Sequence, residues 1–271
     1  MKVRILASGS GGNATIIEDT ILIDAGITLK AFNALNIEGI ETIIITHHHD
    51  DHMQKPLIRN LINRGITTYL PKLAIAELMK EGRIDLTPLI GEQVFVLNEN
   101  STIECIPNMD VSAHPQKHHD ITNYALVMER SDHRLLYATD LDTLSPSDLG
   151  VGLLHLGTFD TILLEGNYDE VYLREYIEYM VSLVPGSTPP SEWTDDELDK
   201  WVRSNYRHLP DEIKADAFRA IQNHRHLSKQ QSRAYAATYL NPGGRYFELH
   251  RSKRFYQAPD DWYTEDLNIE D

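Results

Sequence analysis

A chain of 271 residues is long enough for one large domain with a well-buried core, and its 41 acidic and 25 basic residues give a formal net charge of −16. That balance argues against a surface that grips long nucleic acid by neutralising phosphates. The single cysteine, Cys105, excludes an intrachain disulfide and a cysteine-based zinc finger, leaving imidazole and carboxylate as the available metal ligands. No apolar run reaches the length of a bilayer span and the apolar stretch after Arg4 is too short for a secretory signal, so a cytoplasmic protein without membrane contact is expected.

In chain order, residues 2–8 alternate as a strand, and Ser8-Gly9-Ser10-Gly11-Gly12-Asn13 makes a turn that only small residues fill. Neither GxGxxG opening a helix nor GxxxxGK[ST] is present, so it reads as a hairpin turn whose amides face the site. Strands follow at 14–18 and 20–24, the second ending in Asp24, a hydrogen-bonding support for what comes next. A short helix over 28–36 and a strand over 42–46 lead to Thr46-His47-His48-His49-Asp50-Asp51-His52, with four histidines and two aspartates in seven residues. Such a cluster repels itself once protonated unless a cation compensates, and zinc, manganese and iron favour this ligand set. On a tight turn, His47 and His49 can point to one metal and Asp51 and His52 to a second.

Helices over 56–64 and 72–81 flank a strand at 67–70, and strands near 93–97 and 102–107 lead to His114-Pro115-Gln116-Lys117-His118-His119-Asp120. Three histidines compete there for one ligand role. His119 is favoured over His114 and His118, because only a short turn separates it from the strand at 124–128. The strand 133–138 ends in Thr139-Asp140-Leu141-Asp142, where Asp140 is placed to bridge two metals and Asp142 reads as a cap. The strand 161–164 runs into Glu165-Gly166-Asn167-Tyr168-Asp169. A helix over 171–184 breaks at Pro185-Gly186, and helices at 194–206 and 210–222 read as an insertion, a lid or dimer-forming excursion without chemistry of its own. His226, at the start of another helix, is well placed as a late metal ligand. The last strand, 245–249, precedes Arg251-Ser252-Lys253-Arg254, which meets substrate phosphate or is a solvated loop, and 257–271 is an acidic tail.

The spacing His47-x-His49-x-Asp51-His52 after an apolar strand resembles the HxHxDH signature of the metallo-β-lactamase superfamily. With it, Ser8–Asn13, Leu22-Ile23-Asp24-Ala25-Gly26, His119-Asp120, Thr139-Asp140-Leu141, Glu165–Asp169 and His226-Leu227-Ser228 resemble a narrower branch, the exodeoxyribonuclease-like WalJ/YycJ-type hydrolases. The resemblance implies an α/β, four-layer αββα sandwich, a single domain over 1–271 with a helical insertion near 185–222. It assigns His47, His49 and His119 to one divalent ion, Asp51, His52 and His226 to another, and Asp140 as the bridge, with Zn2+ or Mn2+ as the metals. The branch usually carries histidine at the fourth position of the Glu165–Asp169 knot, where this chain has Tyr168.

The function so implied is a dinuclear phosphodiesterase of the nuclease-like type, cleaving DNA or RNA ends by a metal-bridging hydroxide. Asp51 and Asp140 serve it at the metals, and the leaving alkoxide takes a proton from His224, His118 or Tyr168. The net charge favours a second reading, hydrolysis of small cyclic nucleotides or other cyclic phosphodiesters as in PhnP-type enzymes. A third is a non-catalytic scaffold of the same fold, which the filled ligand positions weigh against. A homodimer through the helical insertion is the assembly expected.

Overall fold

Period-two alternation of apolar residues builds two sheets that face each other. The structure, a computed structural model, describes residues 1–80, 82–99, 101–104, 108–119, 121–146, 152–187, 194–252, 254–256 and 268–269. Cys105, Asp120, Lys253 and most of the acidic tail lie outside the described residues. The first sheet contains β1 (Val3–Ala7), β2 (Ala14–Ile17), β3 (Ile21–Ile23), β4 (Thr42–Ile44), β5 (Thr67–Leu70), β6 (Val94–Val96) and, from the tail, β13 (Asn268–Ile269), in the order β13-β1-β2-β3-β4-β5-β6. The second contains β7 (Thr102–Glu104), β8 (Met109–His118), β9 (Ile121–Arg130), β10 (His133–Ala138), β11 (Phe159–Glu165) and β12 (Leu240–Leu249), in the order β12-β11-β10-β9-β8-β7.

Odd and even residues of one strand go to different cores. In β3, Ile21 and Ile23 face the second sheet while Leu22 faces away; in β10, Leu135 and Tyr137 face the first sheet while Leu136 and Ala138 face away. The outer face of the first sheet is covered by α1 (Leu29–Ala34), α2 (Lys55–Asn63) and α3 (Lys72–Lys80), through Phe32, Leu57, Leu61 and Leu78. The outer face of the second is covered by α7 (Lys229–Tyr239), through Tyr235 and Ala236. These are the four layers that the sequence implied. Ile43, Ile44 and Ile45 are fully buried on alternating sides, and at about 1.5–3 kcal/mol for each buried side chain a one-residue slip of β4 is strongly disfavoured. The loop that β4 carries therefore has a fixed origin.

Strands β10, β11 and β12 are mutually parallel, as are β3, β4, β5 and β6, so each set delivers its C-terminal loops to one edge of its sheet. The expected helices near 185–222 are α5 (Asp195–Asn205) and α6 (Asp211–His224), and with α4 (Glu170–Ser182) they enclose a core of their own around Leu173, Met180, Trp201, Ala217 and Phe255. Among the described residues, no helix is long and apolar enough to cross a membrane.

Candidate metal centre

The histidine loop is locked from three sides. The Asn13 amide donates to the Asp51 carbonyl at 2.7 Å and the Ala25 amide to the His52 carbonyl at 2.8 Å. Behind it, buried Asp24 accepts from the Thr46 amide (2.9 Å), the Thr46 hydroxyl (3.0 Å), His52 Nδ1 (2.8 Å) and the Tyr137 hydroxyl (3.1 Å). The bond from His52 Nδ1–H to Asp24 leaves His52 Nε2 as the ligand atom facing the site, the usual work of a carboxylate behind a metal-binding imidazole. Gly26 is required by close approach: a Cβ there would stand 1.7 Å from the Asp51 carbonyl oxygen. Gly26→Ala is expected to push the loop off its seat and cost about 3 kcal/mol of stability. Thermal denaturation checks this, and a wild-type midpoint would remove the tight fit.

Around this loop gather residues from the ends of β8, β10, β11 and β12. Potential ligand atoms of His47, His49 and His118 lie within 4.8 Å of one another, as do those of Asp51, His52 and His250, of His47, His52 and Asp140, and of Asp140, Glu165, His226 and His250. Asp140 stands between the sets: its Oδ2 is 2.7 Å from His52 Nε2, and its Oδ1 is 3.5 Å from His250 Nε2, 3.6 Å from His118 Nε2 and 3.7 Å from His226 Nδ1. Asp24, Asp140 and His250 all have left-handed backbones, with φ of +56°, +58° and +54°. A strained conformation of this kind at three strand ends of one site is the clustering expected where geometry serves chemistry.

Five of the expected ligands, His47, His49, Asp51, His52 and Asp140, come together as the sequence implied. Two do not take the expected place. His118, the last residue of β8, turns its buried ring toward His47 and His49, with ring centroids 5.3 and 5.1 Å away. His119 opens the hairpin turn with φ +52° and instead joins a group with His118 and Asp142. The reason is that β8 ends at residue 118, which pairs with Ile121, so the turn begins one residue earlier than the favoured histidine required. Likewise His250, directly after β12, stands beside Asp51 Oδ2 at 3.5 Å, the place expected for His226. His226 sits farther out, 3.2 Å from Glu165 Oε2. Of the three expected proton donors, His118 lines the cavity at the cluster, whereas His224 and Tyr168 stack on each other with ring centroids 6.0 Å apart, Tyr168 within the core of α4–α6, and neither is among the residues that line it.

Glu165, fully buried, holds the far side together. It accepts from the amides of Asp140 (2.8 Å), Leu141 (2.7 Å) and Leu227 (3.0 Å) and faces His226 Nδ1 and His250 Nδ1. Asn167 adds a bond to the His250 carbonyl at 2.9 Å. His118, His250, Glu165 and Asn167 were all missed or subordinated in the sequence reading. The signal for His250 was available, since it follows a strand end as His47 and Asp140 do.

The charges oppose the burial. Burial raises the Asp140 carboxyl and the Glu165 carboxyl, but for Asp140 the neighbouring His250 and His52 hold it well below the usual carboxylate range, and His226 with His250 brings Glu165 down to about 2. Burial lowers His250, but Asp140, Asp51 and Glu165 lift it to about 10, and Asp140 with Asp24 similarly raises His52. Burial and the neighbouring His52 ring keep His47 well below the ordinary imidazole value. The centre thus stays anionic at its carboxylates and draws positive charge. Asp140 Oδ2 and His118 Nδ1 are buried without a well-angled hydrogen-bond partner, although Asp140 Oδ2 lies close to His52 Nε2. Close contacts between lone-pair atoms lacking hydrogen-bond angles are what two ligands of one cation make. Around the loop itself, five imidazoles (His47, His49, His52, His118 and His250) and two carboxylates (Asp51 and Asp140) form a donor set that fits divalent ions.

The cluster opens into a cavity of about 770 Å³, whose walls include Ser10 and Gly11 from the glycine-rich turn, Arg219 and Asn223 from α6, and Arg254. Residues 19–227 match the family described as the beta-lactamase superfamily domain. Among curated proteins, the chain is 25% identical over 184 residues to an exodeoxyribonuclease WalJ of Streptococcus pneumoniae serotype 2 (strain D39 / NCTC 7466); the match covers 64% of this chain and 65% of that protein, just under two thirds of its length. Among solved structures, the short form of human tRNase Z is similar with a TM-score of 0.55 and 15% identity, over 94% of this chain and 95% of that one. A diphosphatase from the PhnP family has a TM-score of 0.52 and 14% identity, over 93% of this chain and 86% of that one. At such identities the two structures speak for the fold alone. With its two facing sheets, its histidine loop at a strand end and a family match over residues 19–227, the chain belongs to the metallo-β-lactamase superfamily.

Proposed function

We propose that the chain is a dinuclear metal-dependent phosphodiesterase of the nuclease-like type, acting on DNA or RNA ends. The observation that carries this reading is the convergence of His and Asp side chains from separate strand ends on one cavity, with Asp140 between two ligand sets. His47, His49 and His118 would hold one Zn2+ or Mn2+, and Asp51, His52 and His250 the other. When bound, such a pair supplies charge stabilisation at the phosphoryl oxygens and an acidified water as nucleophile.

The chain's own residues do the rest. Asp24 and Glu165 orient His52 and His250 from behind, so that their outward nitrogens are fixed before substrate arrives. His226 lies on the cavity wall with Nδ1–H turned to Glu165, and in its doubly protonated form the ring would give the Nε2 proton to the leaving alkoxide. This reading gives the donor role to His226 in place of His224, His118 or Tyr168.

The test is hydrolysis of linear DNA, RNA and cyclic nucleotides by chain loaded with manganese or zinc, with and without chelator. Cleavage of ends that stops with chelator and returns with metal is expected; two equivalents of bound metal with no phosphodiester cleaved would sink the reading. In the same assay His226→Ala should lose about 10²–10⁴-fold in kcat with metal content unchanged. The net charge of −16 supports the second reading, a small cyclic phosphodiester as substrate. Salt separates the two, because affinity for a strand contacted at many phosphates falls steeply with ionic strength and affinity for a small ligand barely changes.

A further inference from the structure

Helix α6 reaches the cavity with one face. Asp216, Arg219 and Asn223 follow at intervals of three and four residues, so they project from the same side of the helix. Asn223 Nδ2 bonds Asn167 Oδ1, and Asn167 Nδ2 lies 3.0 Å from His250 Nδ1, so this face is tied by two side chains to the histidine beside Asp51. Next along the face, the buried Asp216 carboxylate holds two guanidinium groups at once. Its Oδ1 accepts from Arg219 Nη1 at 3.1 Å, and its Oδ2 is 2.7 Å from Arg254 Nη2, from the segment that follows β12.

Both arginines line the same cavity as His118, Asp140, His226 and His250. Their side chains stay 61% and 50% exposed, whereas that of Asp216 is only 11% exposed, so the carboxylate anchors heads that remain accessible. Each guanidinium has five N–H donors in a planar fork, far more than one carboxylate oxygen uses. Two cations share one anion, which leaves this group with a local net positive charge at one end of the cavity, in a chain whose overall charge is −16. Purely structural ties between α6 and the segment after β12 would not require two arginines facing a cavity, and a solvated surface pair would not have a buried carboxylate aligning it.

We propose that Arg219 and Arg254, aligned by Asp216, form an anion subsite for a second, non-scissile phosphate of the substrate. The inference rests on the phosphodiesterase reading and narrows it to nucleotide substrates with at least two phosphates, the second one bound at α6. It also gives the helical excursion a part in substrate choice.

The experiment compares a 5′-phosphorylated dithymidine dinucleotide, which has two phosphates, with bis(p-nitrophenyl) phosphate, which has one, in the metal-loaded chain and in Arg219→Gln and Arg254→Gln. Each variant is expected to lower the ratio of kcat/KM for the dinucleotide to that for the monophosphate diester by about tenfold or more, the scale of one charge-assisted hydrogen bond. Arg219→Lys, which keeps the charge and loses the fork, should fall between wild type and Arg219→Gln. An unchanged ratio, whether both activities fall together or neither moves, overturns the proposal. Calorimetric binding of thymidine 3′,5′-bisphosphate needs no turnover: tenfold weaker binding in the glutamine variants supports the subsite, even if wild type cleaves neither substrate and the phosphodiesterase reading fails. Equal binding by wild type and variants, or no binding by wild type, overturns it.

Discussion

Asp140→Asn is expected to lower phosphodiester hydrolysis by about three orders of magnitude or more while the chain stays folded, because it removes the one carboxylate set between both groups of ligands. The substitution is nearly isosteric. It leaves the Asp140 amide on Glu165 and the carbonyl that Asn123 Nδ2 reaches at 3.0 Å, so the strained turn keeps its backbone partners. What changes is charge and ligand character. His250 and His52 lose the largest influence that raises them, and His250 should therefore titrate well below its value of about 10. An amide binds a divalent ion far less well than a carboxylate does, and it contributes no negative charge to offset two cations. Metal content by elemental analysis, circular dichroism and turnover of bis(p-nitrophenyl) phosphate together check the outcome. Activity within tenfold of wild type, with metal content and fold preserved, would overturn the bridging role proposed for Asp140.

The sequence made the scaffold readable and left the far ligands ambiguous, for reasons that can be named. Strands such as Thr42–Ile44 and His133–Ala138 combine apolar alternation with polar residues at their ends, and the loop after the first is dense enough to announce itself. The support role of Asp24 was also legible, because it ends a strand paired in parallel with the one that carries the loop. Strand β8 was not. Its alternation is interrupted at Pro115, which argues against a strand interior. The structure shows why proline is tolerated: among the described residues, β7 pairs with Asp110, Val111 and Ser112 alone, so at Pro115 β8 is an edge with no described strand awaiting an amide. With β8 unrecognised, the turn could not be placed and His119 appeared to be the residue at its end.

The far side of the site depends on contacts no local pattern records. Glu165 and Asn167, which lie more than eighty positions earlier in the chain, hold His250 in place beside Asp51, and α6 is tied to the site by a side-chain pair that spans Asn167 and Asn223. The excursion read from sequence as a lid without chemistry of its own therefore forms part of the cavity wall.

His118→Ala should weaken metal binding by about a hundredfold or more, and with it hydrolysis, while His119→Ala and His114→Ala stay near wild type, because only His118 stands with His47 and His49. Its ring is 2% exposed, and Asp142 Oδ1 lies 3.6 Å from its Nδ1, behind the face it turns to the site. The His119 amide donates to both oxygens of Asp142, at 2.9 and 3.0 Å, so His119 orders the turn through its backbone, which alanine retains. Histidine and alanine both carry the Cβ that a left-handed backbone at φ +52° disfavours, so His119→Ala should leave both the melting temperature and the metal stoichiometry near wild type. His114 is held by Ser112 Oγ at 2.9 Å and belongs to none of the ligand groups among the described residues. Competition with a chromogenic chelator measures affinity in all three variants. If His119→Ala loses metal and His118→Ala keeps it, the hairpin turns one residue later in solution, and His119 takes the place of His118 beside His47 and His49.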